Sequence, residues 1–412
     1  MNKKLAISIC WIVLLGMISF GVPGSPLGKD RPTVVWKTSL KQKKGETYRD
    51  MAVSSDSGVL LVGLYQTEDR RTDGFVTKLD KHGKVLWRRP YGGDRDDELS
   101  AVWPTSDGGA YLIGTSASGS KGWGDLWVLK INSRGDVLWE RLEGSERPDF
   151  GHEVDGSSGN VFILGHVGFE DPHRYFNTMH LYDPGGSRLR TATFKKHDNF
   201  IGHSIAVSKG RVFLSGHIYH EHEEFGLFLE AFDFQASREW SVSYPNETPG
   251  DMVVGFDDSI AVATHGSCGK KCFSVSLRNF SNSGELQWVR SYAREPRDEV
   301  FALTRLQSGY IIGGSTSPYY STGNQPLLMG VNRNGVLEWS WAMDAAAHGG
   351  EEAVPDYSWS GPNATRRGHS NSGMYSRVAE LCANEDGFTA LILHHTYEGG
   401  RMYEGLTIVR LK

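Results

Sequence analysis

Short apolar runs recur along the chain, each introduced by a polar turn and closed by glycine: "VLLVG" at 59–63, "AYLIG" at 110–114, "VFILG" at 161–165, "VFLSG" at 212–216 and "YIIGG" at 310–314. They are too short for helices and rich in β-branched and aromatic residues, so they predict buried strands. The turns before them, such as "SDSG" (55–58), "SDGG" (106–109), "SKG" (208–210) and "EDG" (385–387), predict hairpins. A second pattern follows each run: a strand, a D/N-x-x-G turn, another strand and a tryptophan. It is plainest in "DGFVTKLDKHGKVLW" (73–87), "DLWVLKINSRGDVLW" (125–139) and "PLLMGVNRNGVLEW" (326–339).

Taken together, the two hairpins make a unit of four strands, a to d. The residue four after the second turn's glycine is Trp87, Trp139, Arg190, Trp288 and Trp339 in successive units; Trp240 matches with Ala236 in place of the glycine, and Trp36 matches from the N-terminal end. The series 36, 87, 139, 190, 240, 288, 339 advances in steps of 51, 52, 51, 50, 48 and 51. Repetition at this period predicts a propeller. The expected fold is all-β: a seven-bladed β-propeller with four antiparallel strands per blade. The last unit lacks strand d, and "TVVWKTSL" (33–40) is expected to supply it, closing the ring and removing an open edge. The outer tryptophans then fill the gap that widens between blades with distance from the axis.

Composition agrees with this pattern and narrows the function. The 412 residues include 50 glycines and 12 tryptophans, which suits many strands and turns. The net charge of −5 is mild and no basic patch stands out, so nothing favours nucleic acid. Lys3 and Lys4 precede an apolar stretch from Leu5 to Val22, followed by small residues. This predicts a secretory signal peptide over 1–21, a linker over 22–32, the propeller over 33–412 and a secreted or periplasmic location. An uncleaved anchor is the alternative, because such a stretch just suffices to span a bilayer. Loss of the two leader lysines would take the charge from −5 to −7. No membrane span is expected after cleavage, and the protein is expected to be a monomer.

Four-stranded blades put the a–b and c–d turns on one face and the b–c and d–a connections on the other. Here the second set is long and irregular, and 13 of the 15 histidines map to it or to strand ends beside it. Loop variation of this kind marks a functional face. His152 and His166 flank Gly159 symmetrically, His203 and His217 flank Gly210, and Asp251 and His265 flank Asp258. In hairpins such residues are cross-strand neighbours, so three consecutive blades are expected to present His/His, His/His and Asp/His pairs. A Gly-His pair opens two of these units, as in WD-repeat propellers, where the histidine serves a buried structural network; that reading stays open for His152 and His203.

"GHIYHEHEEF" (216–225) runs from His217 and Tyr219 through His220 and His222, and "HGSCGKKC" (265–272) holds His265, Cys268 and Cys272. Two thiolates and two imidazoles suit a structural zinc that would staple two neighbouring loops; a Cys268–Cys272 disulfide is the alternative in an oxidising compartment. Cys382, in "VAELCAN", is expected to be a buried small apolar residue. An insertion at 342–376 carries Trp359, Arg366, Arg367 and His369, aromatic and guanidinium groups suited to an acidic sugar. "YGGDRDDE" (91–98) lacks calcium-loop spacing and reads as a solvated acidic loop.

The tryptophan-bearing units resemble the Trp-repeat propellers of exported bacterial proteins, a likeness that concerns architecture alone. The histidine-rich face together with His265, Cys268 and Cys272 is similar to the seven-bladed ulvan lyases, which are polysaccharide lyases. That similarity implies β-elimination on a uronate-containing polysaccharide. His203, His217 and Tyr219 would act as base or acid, Arg366 would neutralise the carboxylate, and His152, His166, Trp359, Arg367 and His369 would contact ligand. The other expectation is an exported propeller that only binds an acidic carbohydrate or cell-surface component.

Overall fold

A computed structural model describes residues 32–41, 45–157, 159–168, 175–194, 200–219, 225–269, 272–292, 297–317, 324–342, 375–398 and 401–412. Within it, 28 strands form seven antiparallel sheets of four strands each. Six sheets use consecutive strands. In blade 1 these are Thr47–Val53, Val59–Gln66, Thr72–Leu79 and Val85–Tyr91. The seventh combines the last three strands, Tyr375–Asn384, Gly387–Glu398 and Arg401–Leu411, with the first, Val34–Lys41. Trp36 lies opposite Arg410 in that pairing. Thr33 and Lys412 exchange backbone hydrogen bonds of 2.8 and 3.0 Å, so the first and last strands lock one blade. The ring therefore closes as the repeat predicts.

Blades pack face to face. Strand a of each blade touches strand a of the next, which places these strands innermost around the axis. Strands b and c carry the apolar runs. Leu60, Val62 and Val76 of blade 1 meet Leu99, Val102 and Leu112 of blade 2 in one continuous cluster, and every such side chain contributes about 1.5–3 kcal/mol by leaving water. Truncation of one, such as Leu112→Ala, costs about 2–5 kcal/mol through the cavity it leaves.

The outer tryptophans join neighbouring blades in a specific way. Trp36 sits against Gly83 of the next blade, Trp87 against Gly135, Trp139 against Gly186, Trp240 against Gly284 and Trp288 against Gly335. At Gly135, φ is +82° and a Cβ would stand 3.0 and 3.1 Å from the Trp87 ring. Glycine is thus needed for backbone sign and for clearance at once. The exception supports the rule: blade 3 carries Arg190 in place of tryptophan, and the turn it reaches carries Ala236 at φ 63° in place of glycine. Arg190 Nη2 there donates to Gln235 Oε1 at 2.6 Å.

Candidate functional site

Strand a is irregular at the same place in every blade. A register shift leaves one residue bulged: Arg49, Ser100, His152, His203, Gly250, Phe301 and Ala379 in blades 1 to 7. A bulge adds a residue on one strand and re-aims its side chain. Because each bulge lies near the start of strand a, the seven residues ring the mouth of the central channel on the loop-rich face.

The bulge changes the expected pairing. His166 lies opposite Phe150 and His217 opposite Ile201, so neither is paired in register with the histidine across from it. The rings still meet. The His152 and His166 centroids are 4.4 Å apart, those of His203 and His217 are 4.3 Å apart, and Nε2 of His203 lies 2.7 Å from Nδ1 of His217. The third expected pair does not form. With Gly250 bulged, Asp251 faces Ala263 and His265 faces Thr248. The Asp251 carboxylate instead accepts from Ser204 Oγ (3.1 Å), Met252 N (2.7 Å) and Leu303 N (2.8 Å), tying blades 4, 5 and 6 together. His265 turns to blade 6, where its Nδ1 accepts from Val300 N at 3.4 Å.

All five imidazoles are weaker bases than a free histidine. Burial is the first cause in each case: it lowers His152, His217 and His265, takes His203 to about 4 and takes His166 to about 3. Neighbouring rings add to the effect, His217 on His203 and His152 on His166. His152 and His203 expose surface to the mouth, yet protein encloses them, and that enclosure governs their protonation. At neutral pH the His203–His217 bond therefore joins two neutral rings. One ring donates N–H to the bare nitrogen of the other. Whichever tautomer holds, the two remaining nitrogens are one donor and one acceptor, and a coupled shift of protons exchanges them. Arg49 adds a cation at the mouth; it lies 3.9 Å from Glu98 of blade 2, and its field acts on His152.

Directly after the bulges lie Asp50, Ala101, Glu153, Ser204, Asp251, Ala302 and Glu380, a set of which sequence reasoning had singled out Asp251 alone, and for a different partner. Blades 1, 3, 5 and 7 supply carboxylates and blades 2, 4 and 6 supply small residues. The carboxylates sense one another across the channel, and with burial as the leading cause all are raised. Asp50 rises to about 7 and Asp251 to about 6, while Glu153 and Glu380 stand well above the usual range. By area they are only half-buried, yet protein surrounds them and that enclosure governs their protonation. A signal existed: these residues precede the outer Trp or Arg by 36 to 38 positions in blades 1 to 6.

Among the other expected residues, Tyr219 is the last residue of strand Arg211–Tyr219, opposite Phe225. In blade 5, Cys268 is bulged beside Gly269, which pairs with Cys272, so the hairpin brings the two cysteine backbones together. His220, His222, Trp359, Arg366, Arg367 and His369 lie outside the described residues. Among the described residues no group of three or more His, Cys, Asp or Glu side chains is arranged to hold a metal ion, and no helix is long and apolar enough to cross a membrane. Cys382 is half-buried and its thiol donates to Met51 O at 3.0 Å.

No family model matches the chain, and neither does any curated protein. Among solved structures it is similar to a subtype N11 neuraminidase-like protein of A/flat-faced bat/Peru (9% identity, 92% of this chain and 94% of that one, TM-score 0.44). It is also similar to the β-propeller domain of the Trilobed protease from Pyrococcus furiosus (10%, 90% and 95%, 0.48) and to Pyrococcus horikoshii acylaminoacyl peptidase (10%, 88% and 52%, 0.47). Likenesses this distant carry nothing about activity.

Proposed function

We propose that the protein is an exported propeller that binds an acidic carbohydrate at the mouth of its channel. The observation that carries this reading is the gathering of His152, His166, His203 and His217 from two adjacent blades into two ring pairs at that mouth. Neutral imidazoles both donate and accept, as sugar hydroxyls require, and Arg49 offers a counter-charge for a carboxylate. Titration calorimetry of an oligogalacturonate into the protein tests this. Saturable binding that His217→Ala weakens supports it; no binding, or equal binding by the variant, refutes it.

A second reading, a polysaccharide lyase, is favoured by one contact, the 2.7 Å bond between His203 Nε2 and His217 Nδ1. β-Elimination needs a base for the proton beside the uronate carboxylate and an acid for the leaving oxygen. The paired rings present one acceptor and one donor nitrogen, both uncharged at neutral pH. A cation is needed to hold the carboxylate, the role assigned to Arg49 here and to Arg366 on the sequence. Uronate polysaccharides are incubated with the protein and the ultraviolet absorbance of unsaturated products is followed. No rise with any substrate removes the lyase reading and leaves the binding reading intact.

A further inference from the structure

A second feature of the loop-rich face lies away from the histidines. A cleft of about 610 Å³ opens between blades 1 and 2, lined by Leu64, Arg71, Asp94, Arg95, Glu98 and Trp123 among others, a volume within the range of small-molecule sites. Trp123 is 83% exposed, and it is the only tryptophan among the described residues to stand in solvent. It falls outside the series that packs on turn glycines, so the repeat does not account for it. The loop before it is tied down: the Ser120 hydroxyl lies 3.0 Å from the carbonyl oxygens of both Ala117 and Gly122, which share its one proton, and Lys121 N donates to the buried Asp125 at 3.3 Å.

The opposite wall is held by hydrogen bonds as well: residues 92–96 are exposed, as a solvated acidic loop requires, and Asp97 is the carboxylate that departs from that reading. Asp97 is buried, and its carboxylate accepts from Gly93 N (2.6 Å), Ser118 Oγ (2.7 Å), Ser118 N (3.2 Å) and Ser116 Oγ. Asp96 accepts from Thr72 N at 2.8 Å, and Arg95 donates from its backbone to Ser118 Oγ (2.9 Å) and from Nη1 to Ala117 O (3.0 Å). This framework presents Asp94 and the rest of the Arg95 guanidinium to water beside the indole.

We propose that this cleft binds a neutral glycan, with one sugar ring stacked on Trp123 and its hydroxyls held by Asp94 and Arg95. The C–H face of a pyranose meets the electron-rich indole face, while a carboxylate and a guanidinium bond pairs of neighbouring hydroxyls. Charge decides between flat ligands. Four carboxylates (Asp94, Asp96, Asp97, Glu98) line the cleft against two guanidinium groups; Arg71 pairs with Asp69 at 2.6 Å and Glu98 lies 3.9 Å from Arg49, so with these partners counted the cleft still carries an excess of negative charge. A nucleic acid or an acidic glycan would be repelled. Glu98 on its wall lies 3.9 Å from Arg49 of the channel mouth, so one ion pair stands between the two features.

The test uses the full chain and a panel of neutral hexaoses with β-glucan, xylan and mannan linkages. Binding is read by calorimetry and by protection of tryptophan fluorescence from acrylamide. We expect one hexaose to bind saturably with partial protection. Trp123→Ala should keep the thermal midpoint yet lose affinity about tenfold or more, the usual loss for an aromatic stacking platform, and Asp94→Asn should weaken the same ligand. His217→Ala should leave it within about twofold, so this site and the histidine site fail or stand separately. Lack of binding by every hexaose, equal binding by Trp123→Ala, or loss of the hexaose on His217→Ala would each overturn the proposal.

Discussion

The channel carboxylates make stability depend on pH in a way that one amide substitution exposes. Burial raises Asp50 to about 7 and Asp251 to about 6 in the folded protein, and holds Glu153 and Glu380 well above the usual range. A carboxylate raised on folding stabilises the protein below its unfolded pKa, and that contribution is lost as pH climbs through the folded value. Histidines act oppositely. His166 and His203, and His180 buried in strand Tyr175–Tyr182, are lowered to about 3, 4 and 4, so their contribution is complete above about 6.5 and lost as pH falls. Between pH 4 and 6.5 the two sets oppose each other. Above 6.5 the histidines are neutral in both states, and only the carboxylates remain to titrate. Stability therefore falls from pH 6.5 upward, by up to about 1.4 kcal/mol per pH unit for each proton the folded ring retains. Glu153→Gln removes one titrating group and keeps an oxygen for the Val154 N–H that Glu153 engages. Its stability curve should be flatter than the parent's by up to about 1.4 kcal/mol per pH unit where Glu153 titrates, and higher at pH 8. Urea unfolding followed by tryptophan fluorescence at closely spaced pH values provides the comparison. A parent whose stability is level or rising from pH 6.5 to 8.5 would refute the reasoning, as would a variant curve parallel to the parent's.

Gly135→Ala places a side chain at positive φ, which costs about 1–2 kcal/mol, and crowds the Trp87 ring besides; in a Trp87→Ala background the cost should shrink toward the backbone value, read from urea midpoints as a double-mutant cycle. Ala236→Gly, at the turn that meets no tryptophan, should be neutral or stabilise by up to ~1 kcal/mol in the same assay. Elemental analysis with thiol counting separates the readings of Cys268 and Cys272. One equivalent of zinc released on thiol modification supports the metal, whereas absent zinc and two oxidised thiols support the disulfide.

Much of the fold could be read from the sequence because a propeller repeats one local solution. Turn glycines and outer tryptophans are coupled by contact, so the pair recurs visibly, and even its exception, Arg190 with Ala236, keeps the spacing. The histidine pairs were legible as proximity but not as register, because a bulge at Gly151–Glu153 or Gly202–Ser204 leaves no mark in hydrophobic alternation. The equivalent bulge at Gly250 in blade 5 parted Asp251 from His265. The carboxylate ring was hidden for another reason: Asp50, Glu153, Asp251 and Glu380 are far apart in the chain, and only the ring's closure brings them to one level. Asp97 read as solvated because its serine partners, Ser116 and Ser118, sit in a different loop.

The central claim is that His203 and His217 form a neutral, hydrogen-bonded pair where an acidic sugar is bound. Nuclear magnetic resonance of isotope-labelled imidazole nitrogens, assigned with His203→Ala and His217→Ala, tests it directly. At pH 7 the account requires both rings to be neutral, one donating to the other, with both sets of signals moving when an oligogalacturonate is added. Rings that titrate at ordinary values, or signals unmoved by saturating oligogalacturonate, would contradict it.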